Sequence, residues 1–141
     1  ALKKIVLNIN LDMIGCTMGK FIACCTSEEK LMHYISYMAS ELGFGMHAYQ
    51  DVYSSDSTPF ADKGIPAVSF CRAATPNTAT IHNSYDTMAV MKGEHMVKDI
   101  NFITAFAERM ACAQRCPVAK EMPDNMKDKL DIYLTRKRGN K

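Results

Sequence analysis

The 141-residue sequence has no apolar run of membrane-spanning length and no secretory leader pattern, so it offers no candidate for a bilayer-crossing helix. It also has little net charge. Seventeen Lys and Arg face 15 Asp and Glu, a formal +2, which is too small an excess to imply a nucleic-acid or anionic-membrane partner. Most of that excess sits in the closing "TRKRGNK", which reads as a solvated tail. The six cysteines (Cys16, Cys24, Cys25, Cys71, Cys112 and Cys116) contain no CxxC pair. Adjacent Cys24 and Cys25 could bridge only with strain, and Cys112 and Cys116, though spaced for one helical face, have no His or further Cys nearby to complete a zinc site. Reduced, mostly buried thiols are the reading, and they favour a reducing, cytoplasmic setting. Repeats, low-complexity segments and an initiator methionine are absent too. Because "ALKKIVLNIN" enters a strand almost at once, the expectation is a piece of a longer polypeptide.

What is present is ordinary for one globular domain: 48% hydrophobic and 23% charged residues. Eleven methionines read as fillers of core gaps. Ile5, Val6, Leu7 and Ile9 predict a strand over Lys4–Asn10, covered on both faces. Phe21–Cys25 is a second short strand. Thr26 with Glu29 three residues on is a capping-box pattern, opening a helix to Leu42 with Leu31, Ile35, Met38 and Leu42 inward. Gly43 and Gly45 stop it. A strand over Met46–Gln50 follows, then a short helix through Phe60–Lys63 capped by Asp56 or Ser57, and a strand Ala67–Cys71. A long helix from about Gly93 to Ala113 turns Met96, Ile100, Ile103, Phe106, Ala107 and Met110 inward. Pro117 and Pro123 break the chain before a last amphipathic helix, "DNMKDKLDIYLTRK". The alternation of strands and helices means an α/β fold with a mostly parallel sheet flanked by helices. Residues 1–116 form its main body, and 117–141 form a proline-initiated helix and basic tail.

In such sheets the working residues gather at the carboxyl ends of strands. Asp12 stands there in "NINLDMIG", and the loop after Cys71 delivers His82 to the same edge. Taken alone, Asp12 reads as a turn residue bonding its own backbone, and His82 as a loop histidine bonded to Asp86. A carboxylate leaving a buried strand must nevertheless be paired, hydrogen-bonded or bound to metal.

Three segments in order, "NINLDMIG", "SSDSTPFADKGIPAVSF" and "IHNSYDTM", resemble the second half of the co-catalytic dizinc aminopeptidases. That broad family includes bacterial leucyl aminopeptidases, glutamate carboxypeptidase and the metal-free transferrin receptor. The resemblance covers most of residues 4–111 and implies an incomplete half of a zinc-exopeptidase domain. Carried over, it makes Asp12 and His82 metal ligands, both ordinary zinc donors, with Gly15 turning the chain away from the site. It leaves Asp86 to cap the next turn or to orient His82, and Asp56 to cap a helix start.

The resemblance also implies what is missing. The family needs five protein ligands around two zinc ions and a carboxylate general base; three ligands and the base come from upstream of the first motif. Glu28–Glu29 is the one adjacent acidic pair, and it lies downstream, at a helix start. His33, His47 and His95 lack acidic partners at ligand spacing and read as surface or core residues. The tyrosine that several members carry before the last histidine is Ile81 here, and Tyr85 is not assigned its role. Two expectations follow. One is a piece of an aminopeptidase that removes N-terminal residues from peptides, inactive and holding little or no zinc by itself. The other is a non-catalytic module used for protein association. Self-association through exposed surfaces is expected in either case.

Overall fold

In the computed structural model, residues 2–17, 19–73 and 81–136 are described. Their elements run β1 (Asn8–Asp12), β2 (Lys20–Thr26), α1 (Glu29–Glu41), β3 (His47–Gln50), α2 (Thr58–Asp62), β4 (Ala67–Ala73), α3 (Gly93–Cys112) and α4 (Asp124–Tyr133). The architecture is α/β, one sheet in the order β1-β4-β2-β3 with helices on both faces. The β1–β4 and β2–β3 pairings are parallel, as expected for most of the sheet, while β4 and β2 meet antiparallel at its centre. β1 and β4 therefore end together, Asp12 opposite Cys71, and β2 begins at that same edge with Lys20 opposite Ala73.

The larger core lies between the sheet and α1 with α3. Leu31, Ile35 and Met38 of α1 are buried against Phe21, Val68 and Phe70 of the strands and Phe102 and Phe106 of α3. Phe70 meets Phe102 and Phe106 edge-on, ring centroids 6.1 and 5.4 Å apart, the arrangement aromatic quadrupoles favour. On the opposite face Ala61 and Ala67 pack with Met122, Met126 and Leu130, which brings α4 over α2. No helix among the described residues is long and apolar enough to cross a membrane.

Local structure departs from expectation where a tertiary partner outbids a local one. The capping box at α1 does not form. Thr26 remains in β2 and its hydroxyl donates to the Asp51 carbonyl at 2.7 Å, while the Glu28 carboxylate accepts the Ala119 N–H at 2.8 Å. The helix does stop at Gly43 (φ +62°), and the Phe44 N–H reaches back to the Ala39 carbonyl at 2.8 Å, as helices ending in a left-handed residue do. Leu42, at that end, is exposed. Neither Asp56 nor Ser57 caps α2 through its side chain. The first strand starts at Asn8, four residues later than expected, because the first rung is Asn8 N–H to the Pro66 carbonyl. It is an edge strand, leaving Val6 and Leu11 exposed. Cys116 lies past the end of α3, so it shares no helical face with Cys112. All six cysteines are free, and Cys24, Cys25 and Cys71 are buried.

The inward stripe of α3 is also shifted. Ile103 and Phe106 are buried as expected, but Phe102 and Asp99 join them, and Ile100 is 44% exposed. Phe102→Ala should then cost about 3–5 kcal/mol in urea unfolding, and Ile100→Ala under about 1 kcal/mol. Equal costs for the two would refute this helix phase.

Candidate metal centre

The strand alternation splits β1 into two faces. Ile9 and Leu11 point toward the α1–α3 side, and Asn8, Asn10 and Asp12 stand with Ala67, Ser69 and Cys71 of β4 on the other. This second face is polar near the sheet edge, and a ring of three serines covers it. Ser55 Oγ lies 2.6 Å from Ser57 Oγ and 2.7 Å from Ser69 Oγ, and the Ser69 hydroxyl donates to Ser57 at 2.9 Å. The Asn10 amide donates to Ser69 at 3.4 Å. Because Ser57 and Ser69 are buried, their mutual bonds meet the cost of taking hydroxyls out of water. The ring holds the segment from Tyr53 to Asp56 above the end of β1. Burial pushes the Cys71 thiol up to about 11, with the Asp12 charge adding, and pushes the Tyr53 hydroxyl up to about 12.

His82 is exposed and takes a left-handed backbone, φ +63°. Its loop bonds to itself: the Asn83 side-chain oxygen accepts the Tyr85 N–H at 2.8 Å, and the Asn83 carbonyl accepts the Asp86 N–H at 3.0 Å. The Asp86 carboxylate accepts the backbone N–H of His82 at 3.4 Å, so it steadies the loop backbone. The following 3-10 turn is capped by Thr87 instead, whose hydroxyl accepts the Ala89 N–H.

Asp12 and His82 line one cleft of about 330 Å³, with Asn10, Tyr53, Ser55 and Asp56. The two residues singled out in the sequence thus meet at one edge of the sheet. Asp56 is exposed on the rim. Ile81 lines the cleft, while Tyr85 is 74% exposed and does not. His33 and His47 are exposed, and His95 Nδ1 lies 3.0 Å from the Cys16 carbonyl. Among the described residues no three His, Cys, Asp or Glu side chains gather to hold a metal. A carboxylate and an imidazole are donor types that zinc accepts.

Two residues that position this edge went unnoticed in the sequence. Asp99 is fully buried. Its Oδ2 accepts the Gly15 N–H at 2.8 Å and the Arg72 Nε–H at 2.8 Å, and its Oδ1 accepts from Arg72 Nη2 at 2.6 Å. Arg72 also donates to the Gly19 carbonyl at 3.3 Å and lies over the Phe21 ring. Gly15 has φ +76°, and a Cβ there would meet the Met96 methyl at 2.5 Å. The available signal was an aspartate at position 99, in phase with Phe102, Ile103 and Phe106 on an otherwise apolar helix face.

A model of the family described as Peptidase family M28 matches residues 1–106. Among solved structures, the zinc aminopeptidase BSAP from Bacillus subtilis is 21% identical with a TM-score of 0.63, over 86% of this chain and 32% of that one. A second structure of BSAP gives a TM-score of 0.64 at the same identity, over 86% of this chain and 31% of that one. The aminopeptidase from Aneurinibacillus sp. strain AM-1 is 23% identical with a TM-score of 0.62, over 87% of this chain and 29% of that one. At such identities the likeness is one of fold. The chain spans about a third of the length of these structures. A search of curated proteins gives no match.

The Asp99 anchor is testable apart from any activity. Asp99→Ala leaves the half-buried Arg72 guanidinium without its partner and should cost about 3 kcal/mol in urea unfolding. Replacing both, Asp99→Leu with Arg72→Met, should recover most of that loss, since the uncompensated charge goes as well. A double variant as unstable as the single one would mean that the Gly15 bond carries the effect.

Proposed function

The chain belongs to Peptidase family M28, and from that premise we propose that it is part of the catalytic domain of a zinc-dependent aminopeptidase, to which it contributes Asp12 and His82 as metal ligands. The observation that supports this reading is their convergence on one cleft from the end of β1 and the loop beyond β4. Asp12 offers anionic oxygen and His82 a neutral nitrogen, the donor types that zinc accepts. Zinc, when bound, supplies Lewis acidity for the attack of water on a peptide carbonyl. This chain's residues hold and orient: β1 fixes Asp12, and the Asp86 bond to the backbone steadies His82. Asp56 is on the rim and exposed, and we leave the general base unassigned within residues 1–141. The substrate is a peptide bearing a free N-terminus.

With two donors against the three a catalytic zinc site usually takes from protein, the 141-residue chain by itself should bind zinc weakly and show no peptidase activity. A missing base alone removes on the order of 10²–10⁴ in rate. The open edge of β1, with exposed Leu11 and Val6, supports the second reading, a module that associates through strand pairing.

Zinc calorimetry on the chain should show weak binding that Asp12→Ala or His82→Ala abolishes. Expressed together with the segment encoded upstream of residue 1, the chain should hydrolyse aminoacyl-anilides with zinc. Either substitution should then lower kcat/KM on the order of a hundredfold or more. Hydrolysis that survives both would sink the site assignment, and inactivity of the extended protein would favour the association module.

A further inference from the structure

On the other side of His82 lies a larger cleft, about 780 Å³, with a different chemistry. Met13, Met88, Met91 and Met96 line it together with Cys16, and His82 and Asp86 stand on its wall. Thioether and thiolate sulfurs are soft donors, which suit Cu(I) and disfavour hard dications.

The sulfurs are held in place by backbone. Cys16 and Met91 face each other across an isolated antiparallel bridge. Thr17 N–H and its hydroxyl both donate to the Val90 carbonyl, at 2.7 and 2.9 Å, and Lys92 N–H donates to the Gly15 carbonyl at 3.0 Å. In this clamp Cys16 Sγ and Met91 Sδ are 4.0 Å apart. Two sulfurs each about 2.3 Å from a shared trigonal cation would be separated by about 4.0 Å, so the pair already stands at bridging distance. Met96 adds a third sulfur to the same cleft. Its thioether packs over Gly15, the neighbour of Cys16, so closely that a Cβ on Gly15 would lie 3.0 Å from Met96 Sδ.

Charge balance favours the same occupant. Burial holds the Cys16 thiol above its ordinary value, so at neutral pH it carries its proton. A monovalent cation replaces that proton, which leaves to solvent. The thiolate–cation pair is then neutral, and two neutral thioethers complete it without adding charge to a largely apolar cleft. No oxidation state changes.

We propose that Cys16, Met91 and Met96 form a three-sulfur site for a soft monovalent cation of the Cu(I) or Ag(I) type. The site differs from the Asp12–His82 pair in its donors, although His82 lines both clefts, and it does not rest on the peptidase reading.

The test uses the full chain with Cys112→Ser and Cys116→Ala, which removes the two most accessible competing thiols. It is titrated anaerobically with Cu(I) against a chromophoric chelator. One equivalent should bind, more tightly as pH rises, and should protect Cys16 from alkylation. X-ray absorption should show sulfur alone in the inner shell at about 2.3 Å. Met91→Leu with Met96→Leu conserves volume and should lower affinity about tenfold or more with the unfolding midpoint little changed. A double variant that binds as tightly as its parent overturns the proposal. So does nitrogen in the inner shell from His82, or alkylation mapping that places the metal on Cys24, Cys25 or Cys71.

Discussion

One buried carboxylate organises the edge of the sheet on which everything else is built. Asp99 sits in the middle of an apolar helix face with no exposure, a placement that would cost several kcal/mol if its charge were left alone. Three donors answer it: two from the Arg72 fork and the Gly15 N–H. These bonds tie α3 to the end of β4 and to the turn leaving β1, reinforcing the β1–β4 pairing and the Lys92 N–H bond to the Gly15 carbonyl at this edge. The turn must then pass under Met96 with φ +76°, which glycine alone adopts without strain. The glycine that seemed to serve only a change of direction also provides the N–H that anchors Asp99.

Strand direction does the next part. β1 and β4 are adjacent and parallel, so the residues that leave them emerge side by side, Asp12 from one and the loop toward His82 from the other. Had β2 been inserted between β1 and β4, it would have separated the two exits. β2 instead lies beyond β4, which leaves the polar face of β1 open toward the serine-ringed segment carrying Tyr53 and Asp56. The cleft is thus a consequence of strand order, and its polar lining follows from alternation along β1: Asn8, Asn10 and Asp12 share a face because they are two residues apart.

That alternation and the punctuating glycines are why much of this was legible in sequence. Gly43 ends α1 where expected, Leu31, Ile35 and Met38 face the core, and Asp12 and His82 come to one cleft. The misreadings share a cause. Local patterns name a side chain's nearest partner, and tertiary structure offered a better one. Thr26 bonded to the Asp51 carbonyl across the sheet instead of capping its helix. Ile100 yielded its inward position because helix phase follows the whole face, and Asp99 occupied part of that face. An aspartate on an apolar stripe looks like an error in phase until its cation is known, and Arg72, one residue past a buried strand run, gave no local hint that it was that cation.

The two clefts meeting at His82 divide donors by hardness. The smaller cleft offers the carboxylates of Asp12 and Asp56, the larger sets four thioethers and the Cys16 thiol beside Asp86, and His82 lines both. Distance alone would not keep a zinc ion from the sulfur side, because zinc accepts thiolate readily. Protonation does. Burial keeps the Cys16 proton in place, the anionic groups of Asp86, Asp99 and Asp12 add to that effect, and only Arg72 opposes it. A borderline dication entering the larger cleft would have to displace that proton and take neutral thioethers, soft donors that match it poorly, as its remaining sulfur partners. A soft monovalent ion escapes the last of these costs and gains from the thioethers. Selection between the two proposed sites therefore follows from donor softness: carboxylate oxygen and imidazole nitrogen suit a borderline dication completed by further donors, and a thiolate with two thioethers suits a soft monovalent ion.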